Sequence, residues 1–300
     1  MQTRQRLTAF MLMTIVILIW AGSFVCIRIG LKEMPPATLA LGRFIVASPL
    51  VVGYMFLTQR KMAWKNIPLK KDFILYVALG VSGGSLLYVL QFYSLKFITS
   101  TAGSILINLN VVFTTLLSAA FLKETMTKRK LIGVLLAFSG VVVLATKNTH
   151  NPSSGSFGPM GALLMAGAAF CWAAYTILSK KALDRYSATA VTSITFCMGT
   201  LFLLPFALAE TSLEALLNAS LITWLSILYL AVPSSVIAYI SWNYVLARID
   251  TTKLAVSLYM IPIPTAILSY FILGETVTST LVLGGILVIT GILLTESSRS

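Results

Sequence analysis

The chain is dominated by apolar stretches long enough to cross a lipid bilayer, which takes roughly 20 residues per helix. Hydrophobic residues make up 58% of the 300 residues and charged residues only 10%, whereas a soluble domain carries roughly 25% charged residues. We therefore predict an all-α integral membrane protein with ten transmembrane helices and no separate soluble domain. The ten predicted spans, numbered in chain order, cover residues 7–31, 37–57, 73–95, 99–122, 130–146, 158–179, 187–208, 219–247, 253–273 and 277–295.

Positive charge is distributed unevenly between the two ends of the predicted spans. The net charge of +13 comes from residues scattered through short loops, and a protein that binds nucleic acid would gather them into a patch. With a cytoplasmic N-terminus, seventeen lysines and arginines fall on the cytoplasmic side and four on the other, while Arg43 lies inside span 2. The positive-inside rule then predicts that both termini are cytoplasmic, and we expect a multi-pass protein of the cell's inner (plasma) membrane.

A polar segment divides the chain into two similar halves. Residues 147–157 form the most polar stretch, a natural linker between a first half, 1–146, and a second half, 158–300. A shift of 151 positions places Tyr88 on Tyr239 and Glu124 on Glu275. Each half has an odd number of spans, so the pattern predicts two inverted five-helix repeats. Such repeats usually form alternating-access transporters with the substrate near the middle of the membrane.

The residues that enzymes need are almost missing from the predicted spans. All nine carboxylates fall in loops or at helix ends, and the single histidine, His150, lies in the linker. The chain has no phosphate-binding G-x-x-x-x-G-K-[ST] motif, and its three cysteines show no paired spacing. We therefore expect neither an enzyme nor a bound metal or cofactor, and we expect solute gradients to drive any transport.

Polar and aromatic side chains at helical spacing form the candidate lining of a cavity between the halves. On a regular helix Asn110 lies roughly 200° from Asn108, so we expect only Asn108 to face that cavity. Aromatic side chains in spans also serve as interfacial belts or in helix packing, and that interpretation stays open. The candidate substrate-binding residues are Trp20, Ser23, Arg43, Tyr88, Gln91, Asn108, Trp172, Tyr175, Tyr239, Trp242 and Tyr259.

Arg43 is the one basic residue well inside a predicted span. Charge within a bilayer is expensive, so its guanidinium must face a polar cavity, have a buried partner or extend outward to the interface. A structural role and the docking of a substrate carboxylate or phosphate are both consistent with this position.

Other residues suggest how such a protein moves. Glu124 closes span 4 and Glu275 closes span 9, where each caps a loop or serves as one of two symmetry-related gates. Pro262 and Pro264 remove backbone donors near the middle of span 9, which predicts a hinge or a static kink. Glycines seven residues apart in spans 5 and 10 predict close helix packing, within the chain or in a homodimer.

Three short motifs resemble those of the EamA family of the drug/metabolite transporter superfamily. Residues 20–24, WAGSF, are similar to its W-G-x-x-F motif, residues 42–44, GRF, to its R-F signature, and residues 273–275, LGE, to its L-G-E. Ala21, Lys123 and Ile194 depart from the pattern and weaken strict symmetry between the halves. The resemblance implies a secondary transporter, often an exporter of amino acids or other small metabolites, with a central cavity.

Together these features predict a transporter that exports amino acids or related compounds by alternating access. Aromatic rings with amides and hydroxyls suit a neutral or zwitterionic solute, and Arg43 would hold its carboxylate end. The expected partners are a small-molecule substrate and the lipid bilayer, and protons as a coupling ion and a homodimer stay open. The alternatives are a passive channel, a membrane scaffold and a membrane-embedded lipid-modifying enzyme.

Overall fold

The computed structural model describes residues 3–59, 72–122, 127–146, 159–210, 213–248, 254 and 257–297, and all of its regular secondary structure there is helical. The α-helices are α1 Thr3–Gly30, α2 Pro36–Gln59, α3 Phe73–Gly80, α4 Leu86–Phe97, α5 Ser100–Leu106, α6 Leu109–Leu122, α7 Lys128–Thr146, α8 Pro159–Leu183, α9 Ala188–Glu210, α10 Leu213–Leu217, α11 Leu221–Ala231, α12 Ala238–Leu246, α13 Pro262–Leu273 and α14 Ser279–Ser297. The short helix α10 was not predicted.

The helices have the length and surface of membrane spans. Within the described ranges, seven helical stretches are long and apolar enough to cross a bilayer, and Leu258–Leu273 and Ser279–Leu294 are shorter apolar stretches. Large apolar side chains such as Leu57, Ile74 and Phe271 are exposed on the outside of the bundle. A surface this apolar requires a lipid environment, so the protein is a multi-span membrane protein.

Hydrogen bonds define the two ends of the bundle. At one end, which we call the glutamate end, Glu33, Glu210 and Glu275 join the ends of α1, α9 and α13 to the starts of α11, α2 and α5. Because these bonds tie helix ends together, they show which termini lie at the same end of the bundle.

At the opposite end, Lys180, Arg185 and Arg248 are found, and we call it the basic end. Here Arg185 forms an ion pair with Asp72 at 3.2 Å. The Tyr186 hydroxyl donates to the same carboxylate. The pKa of Tyr186 is raised, mainly by burial and secondly by this hydrogen bond.

Spans 3 and 8, predicted as continuous α-helices, each contain a π-helical segment. Val81–Ser85 separates α3 from α4, and Val232–Ile237 separates α11 from α12, starting 151 positions later. The second segment contains Pro233, which has no backbone N–H to donate, and its Ser235 hydroxyl donates to the carbonyl of Leu230 at 2.7 Å. Such segments are common at functional sites.

Spans 4 and 9 are interrupted as well. A turn at Ile107–Asn108 separates α5 from α6, and a 3₁₀ segment, Leu258–Met260, precedes α13. Pro262 is the first residue of α13, a position where its missing N–H costs nothing. The interruptions are again 151 positions apart when Ile107 is compared with Leu258.

The glycines of spans 5 and 10 pack α7 directly against α14. A Cβ added at Gly140 would lie 2.7 Å from the backbone nitrogen of Val288 and 2.8 Å from the carbonyl oxygen of Gly284. Similarly, a Cβ at Gly291 would overlap the backbone of α7 at Gly133 and Ala137. The glycine stripes therefore face each other within one chain, so they do not form a surface for a second copy.

Candidate functional site

A central cavity lies where the interrupted helices meet. Its volume is about 60 Å³, enough for a few water molecules and well below the roughly 300–1,000 Å³ of typical ligand pockets. Side chains must therefore move before the cavity can take up a solute. The lining residues are Trp20, Ser23, Phe24, Arg43, Leu87, Tyr88, Gln91, Ile107, Asn108, Asn110, Trp172, Ser234, Tyr239, Leu258 and Ile261.

Most of the predicted substrate-binding residues are brought together in this cavity. Those that line it are Trp20, Ser23, Arg43, Tyr88, Gln91, Asn108, Trp172 and Tyr239. Tyr175, Trp242 and Tyr259 are buried but lie outside the lining. Tyr175 and Trp242 instead pack against lining rings, each with its centroid 5.4 Å from that of Trp172.

The expectation that Asn110 faces away from the cavity is wrong. Asn108 and Asn110 both line it, because the turn at Ile107–Asn108 breaks the regular helix on which the angular argument depended. The Asn110 amide nitrogen donates to the carbonyl of Ile107 at 2.8 Å. At the break, therefore, both amides line the cavity and each donates to a backbone carbonyl.

Several lining residues were not singled out from the sequence. Phe24 is the last residue of the WAGSF motif but was not predicted to line the cavity, and nothing in the pattern around Leu87 marks it. Ile107 and Leu258, however, are 151 positions apart, as are Asn110 and Ile261. The 151-position shift would have identified the second member of each pair from the first.

Arg43 is held in place by a network from two other helical segments. Its Nε donates to the Ser235 hydroxyl at 2.5 Å, and its Nη2 donates to the Tyr88 hydroxyl at 3.1 Å and to the Ser234 carbonyl at 3.4 Å. The guanidinium carbon lies 4.3 Å from the centre of the Tyr88 ring. With 2% of its surface exposed, Arg43 does not extend outward to the interface.

The charge of Arg43 has no counterpart in the described part of the chain. No carboxylate there lies within 4.0 Å of the guanidinium, and the cavity lining contains no Asp or Glu. Its recorded hydrogen bonds use Nε and Nη2, which leaves Nη1 without a described partner. A buried charge without a counterion is costly, so this cavity is suited to an anionic group.

Aromatic rings close the cavity toward the basic end. The hydroxyls of Tyr88 and Tyr239 are hydrogen-bonded to each other, and Trp20 packs edge-on against Trp172 with 5.2 Å between ring centres. Tyr175 and Trp242 lie three residues beyond Trp172 and Tyr239, and therefore nearer the basic end. These rings therefore form a packed aromatic layer between the cavity and the basic end.

A buried asparagine lies on the side of these rings that faces the basic end. The Asn243 amide nitrogen donates to the Tyr175 hydroxyl at 2.9 Å and to the Thr192 hydroxyl at 3.0 Å. It joins α12, α8 and α9 between the cavity and the basic end. The aromatic layer is thus fixed by hydrogen bonds as well as by ring packing.

Glu275 caps a helix at the glutamate end. The backbone N–H of Ser100 donates to its two oxygens at 3.1 and 3.0 Å, and Arg28 forms an ion pair with it at 3.5 Å. Gly274, at φ +68°, ends α13 in the left-handed conformation and so turns the chain immediately before this carboxylate. Glu124, the other predicted gate residue, lies outside the described residues.

Glu33 and Glu210, which sequence reasoning did not select, have the same geometry. Glu210 accepts from the backbone of Ala37 and Thr38 at the start of α2. Glu33 accepts from the Ser220 N–H and the Thr223 hydroxyl, each at 2.7 Å, and these bonds lower the pKa of Glu33. The sequence does contain a signal for both residues. Each glutamate follows or ends a predicted span on the side of the membrane where another predicted span begins.

The two prolines lie at the start of α13. Pro262 follows the 3₁₀ segment and Pro264 is in the first turn, where neither breaks a hydrogen bond of the helix interior. Leu258, in the 3₁₀ segment, and Ile261, immediately after it, line the cavity. A change in the angle of α13 at this point would therefore change the shape of the cavity.

Comparison with known proteins agrees with this architecture. The model of the EamA-like transporter family matches residues 7–146 and 159–297. A relative from Archaeoglobus fulgidus, named an uncharacterized transporter, is 39% identical over 293 residues, which cover 96% of this chain and 97% of that protein.

Two other relatives have names that include a solute. A probable terminal-alkyne amino-acid exporter from Streptantibioticus cattleyicolor is 30% identical and covers 94% of this chain and 91% of its own length. A probable amino-acid metabolite efflux pump from Salmonella typhimurium is 29% identical and covers 93% and 91%. These names denote transporters and not enzymes. The chain belongs to the EamA family of the drug/metabolite transporter superfamily.

Proposed function

We propose that the protein is a secondary transporter that exports amino acids or related small metabolites across the plasma membrane. The observation that carries this proposal is Arg43, a buried cation that lines the central cavity without a described carboxylate. A solute carboxylate would supply the missing counterion, with charge-assisted bonds to the guanidinium. The named relatives that export amino acids support the same class of solute.

The fold supports an alternating-access mechanism between two inverted repeats. The π segments and the helix interruptions recur 151 positions apart, and the family model matches the chain once on each side of the 147–157 linker. Ten helical units would then span the membrane, five in each of the halves 1–146 and 158–300. The excess of basic residues at one end supports cytoplasmic termini.

The proposed substrate site consists of the cavity and the layer beneath it. Arg43 would bind the carboxylate, while Trp20, Trp172 and Tyr239 would contact the apolar side chain. Tyr175, Trp242 and Tyr259, buried behind the lining, would support its shape or become exposed when the cavity enlarges. Because the cavity is now too small for most amino acids, solute uptake would require a rearrangement.

We place the gate at the glutamate end. Glu33, Glu210 and Glu275 each join a helix of one half to a helix of the other, so opening this end would break all three contacts. Glu124, by its repeat relation to Glu275, would have the corresponding role at the other end, and Pro262 and Pro264 would form the hinge. A proton site would have to lie among these end carboxylates, since the described cavity lining has no titratable carboxyl or imidazole.

Reconstitution in liposomes tests the function. We expect saturable counterflow of labelled amino acids, such as leucine, phenylalanine and threonine, and accumulation in response to a pH gradient if protons are coupled. Flux that does not saturate would instead indicate a channel, and product formation without flux an enzyme. Absence of exchange for all amino acids would refute the proposed substrate class. The oligomeric state of the reconstituted protein would show whether a homodimer forms.

A further inference from the structure

The cavity contains a second buried polar group that lacks a partner. Asn108 is 0% exposed, and within the described part of the chain its Oδ1 accepts no hydrogen bond. Its Nδ2 donates to the backbone carbonyl of Ser104 at 3.0 Å. A carbonyl oxygen can only accept, so this bond fixes the amide orientation and leaves Oδ1 as the unused acceptor.

Asn110 provides an internal comparison. It lines the same cavity and also donates its Nδ2 to a backbone carbonyl, that of Ile107. No hydrogen bond to its Oδ1 is described either, but that atom is not fully buried, so water in the cavity can reach it. Asn243 has an unpartnered Oδ1 too but lies outside the lining. Of these three amides, only that of Asn108 both lines the cavity and has an unpartnered oxygen that is fully buried.

We infer that Asn108 Oδ1 accepts a hydrogen bond from the ammonium of an α-amino acid whose carboxylate is bound by Arg43. The cavity then selects the zwitterion over the corresponding carboxylic acid or amine. This inference rests on the proposed amino-acid transport and assigns the specificity of the same site.

Each half of the zwitterion satisfies a group that the protein leaves unpaired. A carboxylic acid neutralises Arg43 but leaves Asn108 Oδ1 buried without a donor, and such groups are expensive. An amine supplies the donor but brings a second positive charge beside Arg43, with no carboxylate in the described lining to offset it. Sites built to bind a polar group reject analogues that lack it.

Three molecules with the same side chain test the selection: L-leucine, 4-methylpentanoate, which lacks the amino group, and 3-methylbutylamine, which lacks the carboxylate. Each competes against labelled L-leucine in counterflow through the full-length protein in liposomes. We expect leucine to inhibit at a concentration at least roughly tenfold lower than either analogue, since hydrogen bonds to charged groups are the stronger class. The wild-type protein alone gives this result, so it does not depend on a variant folding.

Asn108→Leu then tests the assigned residue. We expect the preference for leucine over 4-methylpentanoate to fall roughly tenfold, while the inhibitory concentration of 4-methylpentanoate changes less than about twofold. Asn243→Leu is the control, because it removes a buried amide whose Oδ1 is likewise unpartnered but which lies outside the cavity lining. Whatever its effect on total flux, Asn243→Leu should keep the wild-type preference.

The possible outcomes distinguish a failure of this inference from a failure of the proposed function on which it rests. Absence of exchange for every labelled amino acid would mean that the proposed function is wrong. Amino-acid exchange with equal inhibition by leucine and 4-methylpentanoate would overturn only the inference. An Asn108→Leu protein that loses affinity for leucine and for 4-methylpentanoate to the same extent would also overturn only the inference.

Discussion

The central cavity and the glutamate end handle charge in opposite ways. At the glutamate end, Glu33, Glu210 and Glu275 each accept hydrogen bonds from the backbone at the start of a neighbouring helix. In the cavity, Arg43 is buried with neutral partners and no described counterion. None of the carboxylates in the described part of the chain lies beside this cation.

This difference distinguishes charged groups that stabilise the fold from a charged group that is available to bind a solute. A carboxylate whose bonds are satisfied by backbone donors stabilises a conformation, in this case one in which the halves are joined at the glutamate end. An unpaired buried cation destabilises the empty protein, and a bound anion relieves that cost. Changes in the cavity should therefore alter affinity, whereas changes at the glutamate end should alter stability and opening.

Arg43→Gln should have the largest effect. Loss of the charge-assisted bonds to a carboxylate should raise the half-saturation concentration for L-leucine roughly 30-fold or more. Thermal stability should change little, because removing an unpaired buried charge offsets the lost hydrogen bonds. Counterflow and thermal unfolding measure the two effects. Arg28→Gln is the control, since Arg28 pairs with Glu275 at the glutamate end, and unchanged leucine affinity in Arg43→Gln would refute the assignment.

Glu275→Gln should show the reverse pattern. It removes the charge from the start of α5 and the ion pair with Arg28, which should destabilise the protein by about 1 kcal/mol. The half-saturation concentration for leucine should stay within about twofold, because the cavity is intact. Thermal unfolding and counterflow on one preparation provide both values. Unaltered stability combined with lost leucine affinity would place Glu275 in the binding site instead.

Two tyrosines on α4 allow the same comparison within one helix. Tyr88 bonds to Arg43 in the cavity, whereas Tyr93 donates to Glu210 at the glutamate end. Tyr88→Phe removes one bond that positions the guanidinium and should weaken leucine affinity roughly fivefold. Tyr93→Phe should lower thermal stability and leave affinity unchanged. Equal effects of the two substitutions on affinity would contradict the division between the regions.

The smallest expected effect is a pH dependence at Glu33. Hydrogen bonds from Ser220 and Thr223 lower the pKa of this carboxyl below its ordinary 4.5, so its stabilising contribution is complete above that pH. The contribution is lost as the pH falls through the lowered pKa. Wild type should be more stable than Glu33→Gln at neutral pH, and the difference in unfolding temperature should shrink under acid. A difference that grows below pH 4.5 would show that another group is responsible.

The sequence predicted much of the fold because apolar length is a local property. Each predicted span has a helical counterpart, and Tyr88 and Tyr239, which are 151 positions apart, are in contact through their hydroxyls. Eight of the predicted substrate-binding residues share one cavity, since helical spacing identifies a common face. Arg43 stood out because charge within a membrane is costly.

What the sequence missed depends on irregular backbone. The angular argument that excluded Asn110 assumed a continuous helix, and nothing in residues 105–109 marks the turn that breaks it. The interruption of span 9, by contrast, was expected near Pro262, because the missing N–H of a proline is a local property. The contacts of Glu33 and Glu210 join residues more than 170 positions apart, and such pairings follow only from the packing of the two halves.

Direct binding to the purified protein tests the central claim, that the unpaired Arg43 marks the site of a substrate carboxylate. The cavity contains Trp20 and Trp172, so tryptophan fluorescence can report occupancy without transport. We predict a saturable change with L-leucine, little change with L-leucine methyl ester, which has no carboxylate, and no difference between the two compounds in Arg43→Gln. Equal binding of leucine and its ester to the wild-type protein would contradict the account.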